Sequence, residues 1–86
     1  PMTYNVEIGN HAQKDLSRLS LDITGRISSA LDDLSRNPRP PATKKLIGQE
    51  GYRVRIGNYR ILYTIDDKHH FVRIYRIGYR RDVYKR

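Results

Sequence analysis

The apolar period of this chain changes once, near residue 44, and that change limits the possible folds more than any other feature. Before it, Ile23, Ile27, Ala30, Leu31 and Leu34 recur at helical spacing, while Asp22, Arg26, Asp32, Asp33 and Arg36 point elsewhere. After it, Tyr52, Val54, Ile56, Tyr59, Ile61 and Tyr63 fall on alternate positions of two runs joined at Gly57-Asn58, as in a half-buried hairpin. Helices first and antiparallel strands afterwards imply an α+β fold.

The remaining elements follow from the same reading. Residues 4–8 alternate as a short strand that Gly9-Asn10 breaks, with Asn10 as the expected helix N-cap. A first helix is expected over 11–19, carrying Ala12, Leu16 and Leu19, and a second ends at Asn37-Pro38. Pro38-Arg39-Pro40-Pro41 makes a stiff connector. Strands are expected over 44–47, 52–56, 59–65 and 71–77, the last stopped by Gly78. The expected architecture is two N-terminal helices packed on one face of a small, mainly antiparallel twisted sheet. With 86 residues the chain forms one domain, with no room for a large enclosed cofactor cavity. Pro1, before Met2, reads as a tag remnant.

Charge is unevenly placed. Residues 1–43 hold five basic and five acidic side chains, so the whole formal charge of +8 falls in residues 44–86. A polyanion, nucleic acid first, is the partner such asymmetry suggests. Alternation puts Arg53, Arg55 and Arg60 together with Leu62 on the hairpin face opposite the apolar one. Like charges facing each other across strands are unfavourable, and guanidinium suits bidentate contact with phosphate, so the cluster reads as a phosphate site. The terminal run Gly78-Tyr79-Arg80-Arg81-Asp82-Val83-Tyr84-Lys85-Arg86 interleaves cations with tyrosines, a pattern suited to RNA.

Other chemistries are poorly supplied. No cysteine is present, which removes disulfides, thiol nucleophiles and Cys-based zinc sites and favours a reducing, cytoplasmic address. No run approaches a membrane span. His69-His70 and Asp66-Asp67 read as turn residues, His11 as a surface position, and neither a metal site nor a cofactor is expected.

The runs Lys44-Lys45-Leu46, Gly51-Tyr52-Arg53-Val54-Arg55-Ile56-Gly57-Asn58-Tyr59-Arg60-Ile61-Leu62-Tyr63, Val72-Arg73-Ile74 and Gly78-Tyr79-Arg80-Arg81-Asp82-Val83-Tyr84 resemble the RelE-type toxins of toxin–antitoxin pairs, in the RelE/ParE superfamily. The resemblance covers almost the whole chain. It implies a metal-independent endoribonuclease that cuts mRNA in the ribosomal A site, contacts ribosomal RNA and is silenced by an antitoxin, acidic where it covers the basic face. By position it implies catalytic roles for Arg60, Arg80 and Tyr84 and phosphate binding by Arg53 and Arg55. Lys44, Lys45 and Arg81 complete the expected phosphate-binding set. One departure stands out: the family often has lysine at positions 53 and 55, and arginine there stays protonated, leaving no general base on that strand. Two alternatives remain open at this point. One is a ParE-type toxin acting on gyrase, and the other is a non-catalytic nucleic-acid-binding module.

Overall fold

A computed structural model describes residues 3–79. Arg80, Arg81 and Tyr84 lie outside the described residues. The chain runs β1 (Asn5–Ile8), α1 (Asn10–Ser17), α2 (Leu21–Arg36), β2 (Lys44–Lys45), β3 (Tyr52–Ile56), β4 (Tyr59–Asp66) and β5 (Phe71–Tyr79). The five strands form one sheet in the order β1-β5-β4-β3-β2. Strand β1 runs parallel to β5, and the other pairings are antiparallel. This is the expected α+β architecture of two helices on a mainly antiparallel sheet.

One core holds the helices to the sheet. Ala12, Ile27, Leu34, Ile61, Tyr63, Val72 and Ile74 are fully or almost fully buried in it. The helical positions Leu16, Leu19, Ile23 and Ala30 pack against the same cluster. Each large side chain buried there contributes about 1.5–3 kcal/mol relative to an exposed one. Among the described residues no helix is long and apolar enough to cross a membrane.

Local chemistry sets the element ends. Ser20 caps α2 by accepting from the Ile23 N–H at 3.3 Å. The cap of α1 differs from expectation: Gly9 holds the N-cap position, Asn10 is already helical, and no side chain caps the end. Gly57 and Asn58 form a two-residue loop between the paired Ile56 and Tyr59. Only Gly57 takes a positive φ, 61°, as in a type II′ turn with glycine at its first central position.

Strands β1 and β4 differ by one residue from the reading above, and β2 and β5 by two. Strand β2 has two residues, since the chain turns after Lys45 into a loop that closes where Leu46 N–H donates to Gly51 O at 2.9 Å. Strand β5 continues through Gly78, which pairs with Arg60, to Tyr79.

Candidate phosphate site on the far face of the sheet

Strand register places the basic side chains. Tyr52 pairs with Tyr63, Val54 with Ile61 and Ile56 with Tyr59, all on the helix side. On the far face Arg53 stands opposite Leu62, and Arg55 stands opposite Arg60. The three arginines are therefore gathered as the alternation requires. Leu62, only 2% exposed yet outside the helix-side core, forms the apolar floor between Arg53 and Arg76 on the adjacent strands.

Strand β2 extends this face to the sheet edge. Lys44 pairs with Arg53 and so shares its side. Lys45 pairs with Tyr52 and falls on the other side by alternation. Both lysines nevertheless line one depression of about 460 Å³ with Leu46, Ile47, Gln49 and Arg53. Gly51 holds the end of the loop at φ 119°, where a Cβ would stand 2.7 Å from the Tyr63 carbonyl oxygen. A side chain there would push the loop off β4.

Strict alternation along β5 would put Arg73 and Arg76 on opposite faces, but a β-bulge intervenes. Leu62 pairs with Arg76 but Tyr63 pairs with Ile74, so Tyr75 is the extra residue on β5. Thr64 pairs with Arg73. Because Leu62 and Thr64 are two apart on β4, Arg73 and Arg76 take far-face positions in the register despite their odd spacing, and the Arg76 side chain reaches α1. Neither adds a spare cation: Arg73 Nη1 donates to Glu7 Oε1 across the β1–β5 ladder. Arg76 Nε donates to Asp15 Oδ2 at 3.0 Å. The same carboxylate oxygen accepts from the Ile77 N–H at 2.8 Å, satisfying a β5 edge donor beyond the end of β1.

The remaining ion pairs also lie away from the arginine cluster. Arg36 pairs with Asp32 and Asp33 along α2, and Arg39 with Asp67. Among the described residues no carboxylate pairs with Lys44, Lys45, Arg53 or Arg55.

The connector before β2 is tied down from the helix side. Tyr63, 0% exposed, donates its hydroxyl to Pro38 O at 2.7 Å and meets Thr43 Oγ1 at 3.0 Å. Burial raises the pKa of this phenol, so it remains a protonated donor. The Arg39 guanidinium lies 5.3 Å from the Tyr52 ring centroid and reaches both oxygens of Asp67, at 3.1 and 2.8 Å. Tyr4 adds its hydroxyl to Asp67 at 2.6 Å. These bonds fix both ends of the 38–43 segment, and with it the start of β2. The polar side of this network was missed in the sequence, where Tyr63 reads only as an apolar-face tyrosine. The proline-rich run that it anchors was the available signal.

The turn residues behave as expected. Asp66 accepts from the His69 backbone at 3.1 Å and lies 2.7 Å from its Nδ1. The hydrogen bond with the His69 ring is the main reason why its carboxyl pKa is lowered. Among the described residues no three His, Asp or Glu side chains gather into a metal-ligating group.

Comparison with known proteins agrees with this geometry. Residues 6–84 match the family of ParE toxins of type II toxin–antitoxin systems, parDE. The chain is 38% identical to toxin RelG of Mycobacterium tuberculosis over 99% of its own length and 100% of the relative's. Its structure superposes with a TM-score of 0.82 on a chain of the toxin–antitoxin complex RelBE2 of M. tuberculosis, at 34% identity, covering 91% of this chain and 99% of that one. The archaeal RelE–RelB complex of Pyrococcus horikoshii gives 0.81 at 30% identity, covering 92% and 97%. The chain therefore belongs to the RelE/ParE family of toxins from toxin–antitoxin pairs, as a RelE-type toxin.

Proposed function

We propose that this toxin is an endoribonuclease that cuts mRNA on the ribosome, in the A site, and so stops translation in the cytoplasm. The observation that carries the reading is the set of guanidiniums on β3 and β4. Arg53 and Arg55 meet no carboxylate among the described residues, and Arg55 stands directly across from Arg60. Like charges across a ladder are unfavourable, and guanidiniums gathered on one face suit a bound polyanion.

The chemistry needs the RNA, fixed cations, and a side chain or water that takes one proton and returns one. The 2′-hydroxyl gives up its proton and attacks the adjacent phosphorus in line. The bond from phosphorus to the 5′-oxygen breaks, and that oxygen takes a proton. The products are a 2′,3′-cyclic phosphate and a 5′-hydroxyl end. Arg60 and Arg80 meet the extra charge of the pentacoordinate transition state, and charge stabilisation of this kind is the main source of rate in such catalysis. Arg53, Arg55 and Arg81 orient the substrate backbone. Tyr84 serves proton transfer or base stacking.

A cognate antitoxin, acidic in the segment that covers the basic face, is the expected protein partner. The RelBE2 and RelE–RelB complexes among the structural relatives support this, as does charge complementarity. The family match to ParE toxins favours one second reading, an action on gyrase.

Purified toxin added to programmed ribosomes tests the choice. Cleaved mRNA carrying a 5′-hydroxyl and a 2′,3′-cyclic phosphate is the expected result. Intact mRNA together with gyrase-dependent DNA breaks would reverse it. In the same assay Tyr84→Phe keeps the ring and loses the hydroxyl. Cleavage at the wild-type rate would make Tyr84 a stacking platform only.

A further inference from the structure

The depression at the β2 edge has a composition that a simple phosphate clamp does not need. Lys44, Lys45 and Arg53 supply cations, but Leu46, Ile47 and Gln49 complete the lining. Ile47 is 99% exposed, an aliphatic side chain held out on a loop whose base is closed by the Leu46–Gly51 hydrogen bond. An exposed aliphatic surface beside cations matches the two halves of a nucleotide. The lysines take phosphate oxygens, the aliphatic pair takes the face of a base or ribose, and the Gln49 amide can donate to or accept from a base edge.

Ladder spacing separates this place from the cleavage centre. Lys44 is two strands from Arg60 and offset by two residues, about 12 Å at ~4.8 Å per strand and ~3.4 Å per residue. A phosphate held at Lys44 is therefore not the phosphate held at Arg60. Arg53, across from Lys44 and on the face of Arg55, makes the two positions continuous.

We propose that the depression formed by Lys44, Lys45, Leu46, Ile47, Gln49 and Arg53 binds a second nucleotide of single-stranded RNA, away from the cleaved bond. It sets the path of the strand across the sheet. The inference deepens the nuclease reading and rests on it for the identity of the strand. The subsite governs affinity and not the chemical step.

Two measurements on the whole protein test it: turnover on programmed ribosomes, and binding of a short single-stranded RNA oligonucleotide by fluorescence anisotropy. The double variant Lys44→Ala/Lys45→Ala is expected to raise KM about tenfold with kcat within about twofold. It should also lower the slope of log affinity against log salt by about 1.4, the loss of two phosphate contacts on a single strand. Ile47→Ser is expected to keep the wild-type salt slope. It should also reduce the preference for the oligonucleotide over an abasic strand of equal length, a readout that charge alone does not move. Wild-type KM, salt slope and base preference in these variants overturn the subsite even where the RNA is cut normally. Conversely, an RNA that binds through Lys44 and Lys45 but is never cut keeps the subsite and removes the nuclease reading. Unchanged RNA binding with a tenfold loss of affinity for an acidic antitoxin segment assigns the surface to that protein and overturns the proposal.

Discussion

Two pairs of arginines take far-face positions in the register of the sheet and have opposite surroundings. On β5, Arg73 has Glu7 from β1, and Arg76 has Asp15 from α1. On β3, Arg53 has Lys44 across the ladder on one side and Leu62 on the other, and Arg55 has Arg60. Residue type and register position are alike, and the neighbours differ. Carboxylates come from the elements beside β5, while the edge beside β3 supplies cations. Arginine content alone therefore identifies no site. In the proposed function the binding cations include Arg53 and Arg55, which meet no carboxylate among the described residues.

Exchanging one residue from each region tests this most severely. Arg60→Ala should lower cleavage about 10²–10³-fold, the usual effect of removing one fixed group that meets transition-state charge. Arg73→Ala should leave cleavage within about twofold, because that guanidinium is already satisfied by Glu7. Circular dichroism melts on both variants separate lost chemistry from lost fold. Equal losses of activity in two folded variants would erase the distinction between the strands.

The second test strikes the paired side. Asp15 is 12% exposed at its side chain and serves both Arg76 and the Ile77 N–H. Asp15→Ala should cost about 2–3 kcal/mol, because it removes the carboxylate that serves a half-buried cation and an edge donor together. Urea unfolding reads this directly. Cleavage per folded molecule should stay at the wild-type level, since Asp15 compensates charge and contacts no part of the proposed substrate path.

How much of this was legible in the sequence depended on whether the local period was kept. The hairpin from Tyr52 to Tyr63 alternates without interruption, so its faces and the Arg55–Arg60 opposition could be read directly, and the pairing agrees. Strand β5 breaks its period: Val72 and Ile74 are two apart, but Ile77 follows after three. That step is the sequence trace of the bulge at Tyr75. Without it, strict alternation puts Arg73 and Arg76 on opposite faces. The Asp15 cap was illegible for a different reason. It joins residues 62 apart in the chain, and no local pattern reports which edge of a sheet a helix will cover. The proposed roles of Arg80, Arg81 and Tyr84 still rest on the resemblance of the tail.

A third variant converts the β3 side into the paired kind. Arg55→Glu places a carboxylate across from Arg60, in the manner of Glu7 and Arg73. Replacing a like-charge cross-strand pair by an opposite one should stabilise the fold by about 0.2–1 kcal/mol. RNA binding should weaken at the same time. Stability and function would then move in opposite directions at a single position. A variant that gained stability and kept full RNA affinity would show that Arg55 is ordinary surface charge.

The smallest effect concerns Arg39, an exposed member of the paired set, and it is read through pH. Hydrogen bonds from Arg39, and next from Tyr4, hold the Asp67 carboxyl well below its ordinary 3.8, at about 2. A carboxyl whose pKa is lowered by folding contributes stability that is fully present above 3.8 and is lost as pH falls through about 2. Asp67→Asn should therefore flatten the dependence of the melting temperature on pH across that window. The pair is exposed and screened by solvent, so the change near pH 7 should be slight. Cleavage at pH 7 should be untouched if Arg39 only anchors the connector. A fall in cleavage without a fall in stability would instead show that the placement of β2, and with it Lys44, depends on this bond, which would extend the functional region to the paired arginines.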